Sequence, residues 1–142
     1  MTSSRIAAAS IIVATFLIAG CATQPISNSE ASPVPADQIL TNRFSAQLPN
    51  TGEVVIKRDS GIGGSVCSSR IFVDGIPIAN VAVSEKLVLY IPKGEHIFSA
   101  RPNGICGGGL SEVKSSIGAG TVSTFRVGYG SNGDFFINPT AF

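Results

Sequence analysis

The sequence predicts an all-β protein, built as a small antiparallel β-sandwich. Apolar and polar residues alternate with a period of two from Glu53 onward, as expected for strands that bury one face. The chain contains 16 glycines, 8 prolines and no tryptophan, a composition that favours short strands joined by tight turns. Asp74 and Gly75 stand between two such strands, and an Asp-Gly pair is a strong hairpin signal because both central turn positions need a positive φ.

Three strands are predicted in the first part of the domain, and two of them flank this turn. Residues 53–57 form one strand, residues 70–73 form a second, and residues 76–81 return antiparallel to the second. Pro77 lacks an amide proton, so we expect the returning strand to lie at the edge of a sheet.

Five further strands complete the predicted domain. Residues 86–91 place alternate apolar side chains on one face. The sequence Pro92-Lys93-Gly94 then predicts a turn and a second hairpin. The remaining predicted strands lie at residues 96–100, 112–117, 124–129 and 134–137. About eight short strands separated by polar or glycine-rich turns are typical of a sandwich.

A short apolar segment precedes the sandwich. Residues 6–19 carry no charge, and at about 1.5 Å per residue they are too short to cross a hydrocarbon core of about 30 Å as a helix. The segment ends in Leu17-Ile18-Ala19-Gly20-Cys21, which closely resembles the lipobox of bacterial lipoproteins. We interpret residues 1–20 as a lipoprotein signal peptide, with an ordinary secretory signal and a chance cysteine as the alternative. The resemblance implies that Cys21 starts the mature protein and carries the lipid.

The lipobox resemblance also implies a location. Three acyl chains on Cys21 would anchor the protein permanently, at about 0.8 kcal/mol per buried methylene. In bacterial lipoproteins the residue after the acylated cysteine helps to sort them between membranes. Here that residue is Ala22, not the aspartate associated with retention in the inner membrane. We therefore expect an outer-membrane lipoprotein with its domain in the periplasm.

Residues 21–50 are predicted to form a flexible tether. This stretch is rich in proline and serine and nearly free of aromatic residues, so it cannot bury enough surface to fold by itself. Residues 36–40 are a candidate for a helical turn, and Phe44 is a candidate for a further contact with the domain. The predicted organisation is a signal peptide at 1–20, a tether at 21–50 and one all-β domain at 51–142.

The charge balance excludes some partners. The chain contains 10 Lys and Arg against 9 Asp and Glu, and loss of Arg5 with the signal peptide leaves nine of each. Such a chain has no basic or acidic field to attract nucleic acid or a charged substrate. The predicted partners are the membrane, through Cys21, and a protein of the envelope.

The predicted hairpin and the strand that follows it carry a family resemblance. Residues 71–77 read Ile-Phe-Val-Asp-Gly-Ile-Pro, and residues 87–96 end in Pro-Lys-Gly-Glu-His. This arrangement resembles PEGA-like domains and a related family of small bacterial lipoproteins, over roughly residues 54–129. The resemblance implies a prealbumin-like (transthyretin-like) or immunoglobulin-like fold and carries almost no information on activity.

The cysteines predict one disulfide. With Cys21 assigned to the lipid, Cys67 and Cys106 remain as an even pair in an oxidising compartment. A bridge closing a loop of about forty residues constrains the unfolded chain by about 4 kcal/mol. A metal pair and a redox couple are the alternatives, but zinc needs about four ligands, His96 is the single histidine, and no Cys-x-x-Cys occurs. We expect no metal and no cofactor.

Two glycine-rich loops carry these cysteines and resemble each other. Each follows an arginine and contains a Ser/Asn-Gly-Ile sequence. Such loops allow the close backbone approach that a ligand needs, but they suit equally well two loops pinned by a bridge. Neither has the Lys-Ser/Thr ending of a phosphate-binding loop. The candidate partner-binding residues in and beside them are Arg58, Asp59, Arg101 and Asn103.

Catalysis is not predicted. His96 lies next to a Pro-x-Gly turn, without a serine or cysteine in a nucleophile context, so we expect it to cap the turn or pack beside Phe98. Asp59, Asp74 and Asp134 lie in turns, where aspartate bonds the local backbone. The sequence predicts a binding or scaffolding module of the envelope. The alternatives are an accessory lipoprotein of a secretion or mobile-element system, and a small-ligand binder or enzyme that uses the glycine-rich loops and His96.

Overall fold

Nine strands and one 3-10 helix make up the part of the chain that the computed structural model describes, residues 22–142. The strands are β1 (Ser32–Pro33), β2 (Thr51–Arg58), β3 (Ser69–Val73), β4 (Ile76–Val81), β5 (Glu85–Pro92), β6 (Gly94–Pro102), β7 (Ser111–Ile117), β8 (Val122–Tyr129) and β9 (Phe135–Pro139). They form a five-stranded sheet, ordered β1-β5-β2-β8-β9, and a four-stranded sheet, ordered β4-β3-β6-β7. Neighbouring strands are antiparallel except in the pairs β1–β5 and β2–β8. The prediction of an all-β sandwich is confirmed.

The core lies between the two sheets, because alternate apolar side chains of each strand point inward. Phe98 from the four-stranded sheet and Phe125 from the five-stranded sheet meet there, with ring centroids 4.7 Å apart. Val54 and Ile56 of β2 are fully buried in the same layer. Burial of such side chains stabilises the fold by about 1.5–3 kcal/mol each.

The hairpin at Asp74 and Gly75 is confirmed. Both residues have a positive φ, 49° and 78°, and the turn joins the antiparallel strands β3 and β4. The Asp74 carboxylate also accepts a hydrogen bond from the backbone N–H of Ile97 at 2.9 Å, which ties the turn to β6. Strand β4, which contains Pro77, lies at the edge of its sheet as predicted.

The second predicted hairpin, at Pro92-Lys93-Gly94, is wrong. Strand β5 pairs with β1 and β2, whereas β6 pairs with β3 and β7, so the chain passes here from one sheet to the other. Leu89 of β5 and Phe98 of β6 therefore reach the core from opposite sheets. The sequence pattern does not distinguish a hairpin within one sheet from a connection between two sheets, because alternate side chains are buried in both cases.

Residues 22–50 lie against the sandwich, which contradicts the prediction of a flexible tether. Ile39 pairs with Ala79 in an isolated bridge, and the N–H of Tyr90 donates to the Phe44 carbonyl at 2.9 Å. Ala31 is buried, and Ile39 and Phe44 pack on the core. The segment could not fold alone, but sheet edges supply the hydrogen bonds and apolar contacts that it lacks. The helical turn expected at residues 36–40 is present as a 3-10 helix, Ala36–Gln38.

The strand directions divide the sandwich into two ends. We call the end that carries loops 59–68 and 103–110 the cystine end, and the opposite end, with the turns at Asp74 and Pro92, the histidine end. The predicted signal peptide and Cys21 lie outside the described residues. Within residues 22–142, no helix is both long and apolar enough to span a membrane.

Candidate functional surface at the cystine end

A disulfide joins the two loops of the cystine end, as predicted. Cys67 and Cys106 are bonded, with their Cα atoms 6.1 Å apart. Asn103 strengthens the connection, since its side-chain amide donates to the Ser68 hydroxyl and to the Asn80 side-chain oxygen, both at 2.9 Å. The Asn103 amide thus holds the loops together, and it is only partly exposed to a partner.

Arg58, predicted to bind a partner, is fully buried. Its guanidinium lies over the rings of Tyr129 and Phe135, 5.5 and 6.0 Å from their centroids, and donates to the Ser69 hydroxyl and the Gly64 carbonyl. Its Nε has no hydrogen-bond partner among the described residues, and burial lowers its pKa below the ordinary value. The Arg58 side chain therefore does not lie on the surface, where the predicted contact with a partner would have to form.

Strand alternation explains this placement. Along β2, Val54 and Ile56 point into the core, and the period of two sends the Arg58 side chain inward at the cystine end of the same row. The aliphatic part of the side chain continues the core, while the two rings cover the charged group. Arg58 therefore closes the cystine end of the sandwich.

Asp59, the second predicted binding residue, is also buried. Its carboxylate accepts hydrogen bonds from the guanidinium of Arg126 and, at 2.8 Å, from the hydroxyl of Thr23. The Thr23 hydroxyl in turn accepts the backbone N–H of Tyr129 at 2.9 Å. Any side chain at Gly128 would collide with Thr23 and Asp59. Asp59 fastens the N-terminal segment to the sheet, so it is not free for a partner.

Of the four predicted binding residues, Arg101 alone is exposed. Its guanidinium lies 5.6 Å from the centroid of Phe72, a distance at which a cation and an aromatic ring attract each other. It borders a groove of about 290 Å³, lined by Phe72, Gly75, Ser99, Arg101, Leu110 and Glu112. This groove brings a cation, a carboxylate and apolar side chains to one open surface.

Within residues 22–142, the most exposed large hydrophobic side chains lie in the two cystine-linked loops. Ile62, Val66 and Ile105 are 92%, 83% and 95% exposed. Val66 and Ile105 border the same shallow depression beside the disulfide. Residues 60–69 and 102–111 contain no charged residue. The sequence predicts binding through the arginines beside these loops and does not single out the apolar residues at their tips. The only signal for them is the Gly-Ile pair that each loop contains.

His96 links two turns at the histidine end. Its Nδ1 lies 2.6 Å from the Asp74 carboxylate and its Nε2 lies 2.8 Å from the Pro92 carbonyl oxygen. Its ring centroid is 6.4 Å from that of Phe98. These contacts agree with the interpretation of His96 as a turn cap beside Phe98.

Within residues 22–142, no three His, Cys, Asp or Glu side chains are grouped so that they could hold a metal ion. Comparisons with protein families, with curated protein sequences and with solved structures found no match to this chain. The resemblance to PEGA-like lipoproteins therefore stays a prediction.

Proposed function

We propose that the protein is a lipoprotein of the bacterial outer membrane whose β-sandwich acts as a non-catalytic binding or scaffolding module in the envelope. The observation that carries the proposal is the lipobox-like sequence Leu17-Ile18-Ala19-Gly20-Cys21 after an apolar segment. Ala22 after the cysteine supports export to the outer membrane. The disulfide between Cys67 and Cys106 is in keeping with an oxidising compartment.

Structural roles of the polar residues support the non-catalytic part of the proposal. His96 has both ring nitrogens against oxygen acceptors in two turns. Asp59 is buried in an ion pair with Arg126, and Arg58 is covered by aromatic rings. A general acid or base must instead reach a substrate with its titrating atom.

Replacement of the predicted lipidated cysteine tests the anchor. The Cys21→Ser variant is expected to lose acylation and to stay uncleaved or to leave the membrane fraction, because serine offers no thiol for the lipid. Intact mass and membrane fractionation measure both effects. A Cys67→Ser/Cys106→Ser variant is the control for cysteine replacement as such, since it removes the disulfide and keeps Cys21. Normal processing and membrane retention of Cys21→Ser would refute the anchor.

The residue after the cysteine tests the choice of membrane. We expect Ala22→Asp to move the acylated protein from the outer to the inner membrane, and Ala22→Ser to leave it in place. Density-gradient separation of the two membranes measures the distribution. An unchanged distribution for Ala22→Asp would remove the sorting argument without affecting the lipid anchor.

The groove beside Arg101 supports the binding part of the proposal. A photo-crosslinker placed at Leu110, an exposed groove residue, is expected to capture an envelope protein in cells. Arg101→Ala should reduce this capture severalfold. Arg43→Ala is the matched control, since Arg43 is exposed and stacks on Phe44 in the same way, 5.7 Å from the ring centroid. Equal capture in all variants would exclude the groove as the binding surface.

A further inference from the structure

The N-terminal end of the described chain lies beside one of the cystine-linked loops. Gln24 pairs with Ser60 in an isolated bridge. A Cβ atom on Gly61 would lie 3.5 Å from the Cα of Thr23 and 3.9 Å from the carbonyl oxygen of Ala22. The next residue toward the N-terminus is the predicted lipid carrier, and consecutive Cα atoms are about 3.8 Å apart. The described chain therefore begins at the cystine end, one residue after the predicted lipid carrier.

The connection between this point and the domain is short and firmly held. The Thr23 hydroxyl donates to the buried Asp59 carboxylate, and the Thr23 N–H donates to the Tyr129 carbonyl at 2.9 Å. Only Ala22 separates Thr23 from the predicted lipid attachment. A lipid anchor attached here holds the cystine end close to the membrane surface instead of leaving the domain on a long tether.

The tips of the two loops have the chemistry of a membrane-contacting surface. Ile62, Val66 and Ile105 present aliphatic side chains to the outside, and no charged residue accompanies them within 60–69 or 102–111. Removal of such side chains from water is favourable by about 25 cal/mol per Å² of apolar surface. Clustered exposed apolar side chains mark interaction sites, whereas single ones are ordinary.

We propose that the loop tips, Ile62, Val66 and Ile105, insert into the lipid surface to which Cys21 is anchored. The proposal rests on the lipid anchor proposed above and adds an orientation to it: the cystine end faces the bilayer and the histidine end faces away. The disulfide keeps the two loops together as one contact surface. Acyl chains on Cys21 and the loop tips then enter the same leaflet, side by side.

Tryptophan fluorescence tests this orientation, because the chain has no tryptophan of its own. Ile62→Trp and Ile105→Trp each place a single reporter at a tip. Val122→Trp is the matched control, since Val122 is an apolar residue, 63% exposed, at the start of β8 at the histidine end. The acylated proteins are reconstituted into phosphatidylethanolamine and phosphatidylglycerol vesicles, with and without bromine on the acyl chains. We expect at least twofold quenching for both tip variants and none for the control.

Each outcome separates the orientation from the anchor. Intact mass and flotation with the vesicles report the anchor, and loss of both would refute it together with the insertion. Flotation without quenching at either tip would overturn the insertion alone and would assign the tips to a protein partner. Equal quenching of the Val122→Trp control would overturn the orientation. Thermal unfolding of the three variants checks that each is folded.

Discussion

The two ends of the sandwich differ in which side chains they bury and which they expose. The cystine end buries the charged groups of Arg58 and Asp59 and exposes the aliphatic tips of its loops. The histidine end keeps its carboxylates near the surface, where Asp74 is hydrogen-bonded to His96 and Glu95 is paired with Lys114. Hydrogen bonds between the turns at Asp74 and Pro92 hold the histidine end together. The cystine end instead combines internal cross-links with loop tips that expose aliphatic side chains.

The contacts at the two ends are expected to contribute differently to stability, because those of the cystine end are buried and those of the histidine end are exposed. A disulfide and a buried ion pair fix the cystine end, and removing one partner of a buried pair costs about 3–5 kcal/mol. An exposed ion pair such as Glu95 with Lys114 at the histidine end contributes about 0–1 kcal/mol, because water screens it. Substitutions at matched positions of the two ends therefore test the comparison directly.

Removal of the disulfide is expected to have the largest effect. The Cys67→Ser/Cys106→Ser variant should lose about 4 kcal/mol of unfolding free energy, because the bridge closes a loop across 39 positions and restricts the unfolded chain. Urea unfolding measures the loss, with reduced wild-type protein as the control. A loss below about 1 kcal/mol would mean that the cystine end is held mainly by its other contacts.

Neutralisation of Asp59 should come next. We expect Asp59→Asn to lose about 3 kcal/mol, because it removes the charge that faces Arg126 and disturbs the bond from Thr23. Asp134→Asn removes an exposed carboxylate in the β8–β9 turn at the same end and should change stability by less than about 0.5 kcal/mol. Chemical denaturation of both variants measures the difference, and equal losses would contradict a special role for the buried pair.

The contacts of Asp74 at the histidine end should contribute little to stability, and their contribution should be lost at acid pH. Burial raises the pKa of Asp74, but hydrogen bonds from His96 and from the Ile97 N–H outweigh it, so the pKa lies below its usual range. The resulting stability is fully present above the ordinary carboxyl pKa of about 3.9 and is lost as the pH falls through the lower pKa of the folded protein. Because Asp74 is 45% exposed, Asp74→Asn should cost less than about 1 kcal/mol at neutral pH.

Stability measured from pH 7 down to pH 2 tests this assignment. Asp74→Asn should flatten part of the acid-induced decline, since asparagine cannot be protonated in this range and still tolerates the positive φ at this position. Asp37→Asn, at an exposed carboxylate in the 3-10 helix, is the control. An unchanged pH profile for Asp74→Asn would show that the pair with His96 contributes nothing to stability.

The loop tips should have the smallest effect on folding. We expect Ile62→Ser/Ile105→Ser to change the unfolding free energy by less than about 0.5 kcal/mol, because both side chains are exposed. Ile56→Ala, in the core, is the contrasting control and should cost about 2–5 kcal/mol. A large loss for the tip variant would show that the tips serve the fold rather than a surface.

The candidate site was only partly predictable from the chain. The pairing of the cysteines followed from their number and from the oxidising compartment that the sequence predicts, and Arg101 lies on the surface as expected. Arg126 could not be identified as the partner of Asp59, because its position depends on the parallel pairing of β2 with β8. That pairing joins strands far apart in the chain, and no local pattern encodes it.

By itself, the sequence determined the approximate positions of β2 to β9, the turn at Asp74 and Gly75, the edge position of the strand with Pro77, and the disulfide. These features depend on local φ preferences, on side-chain alternation and on cysteine chemistry. Tertiary structure alone decided which sheet each strand joins, the inward direction of Arg58 and the packing of residues 22–50. The physical reason is that these depend on contacts between distant segments, where the burial of apolar surface and the pairing of backbone groups outweigh local preference.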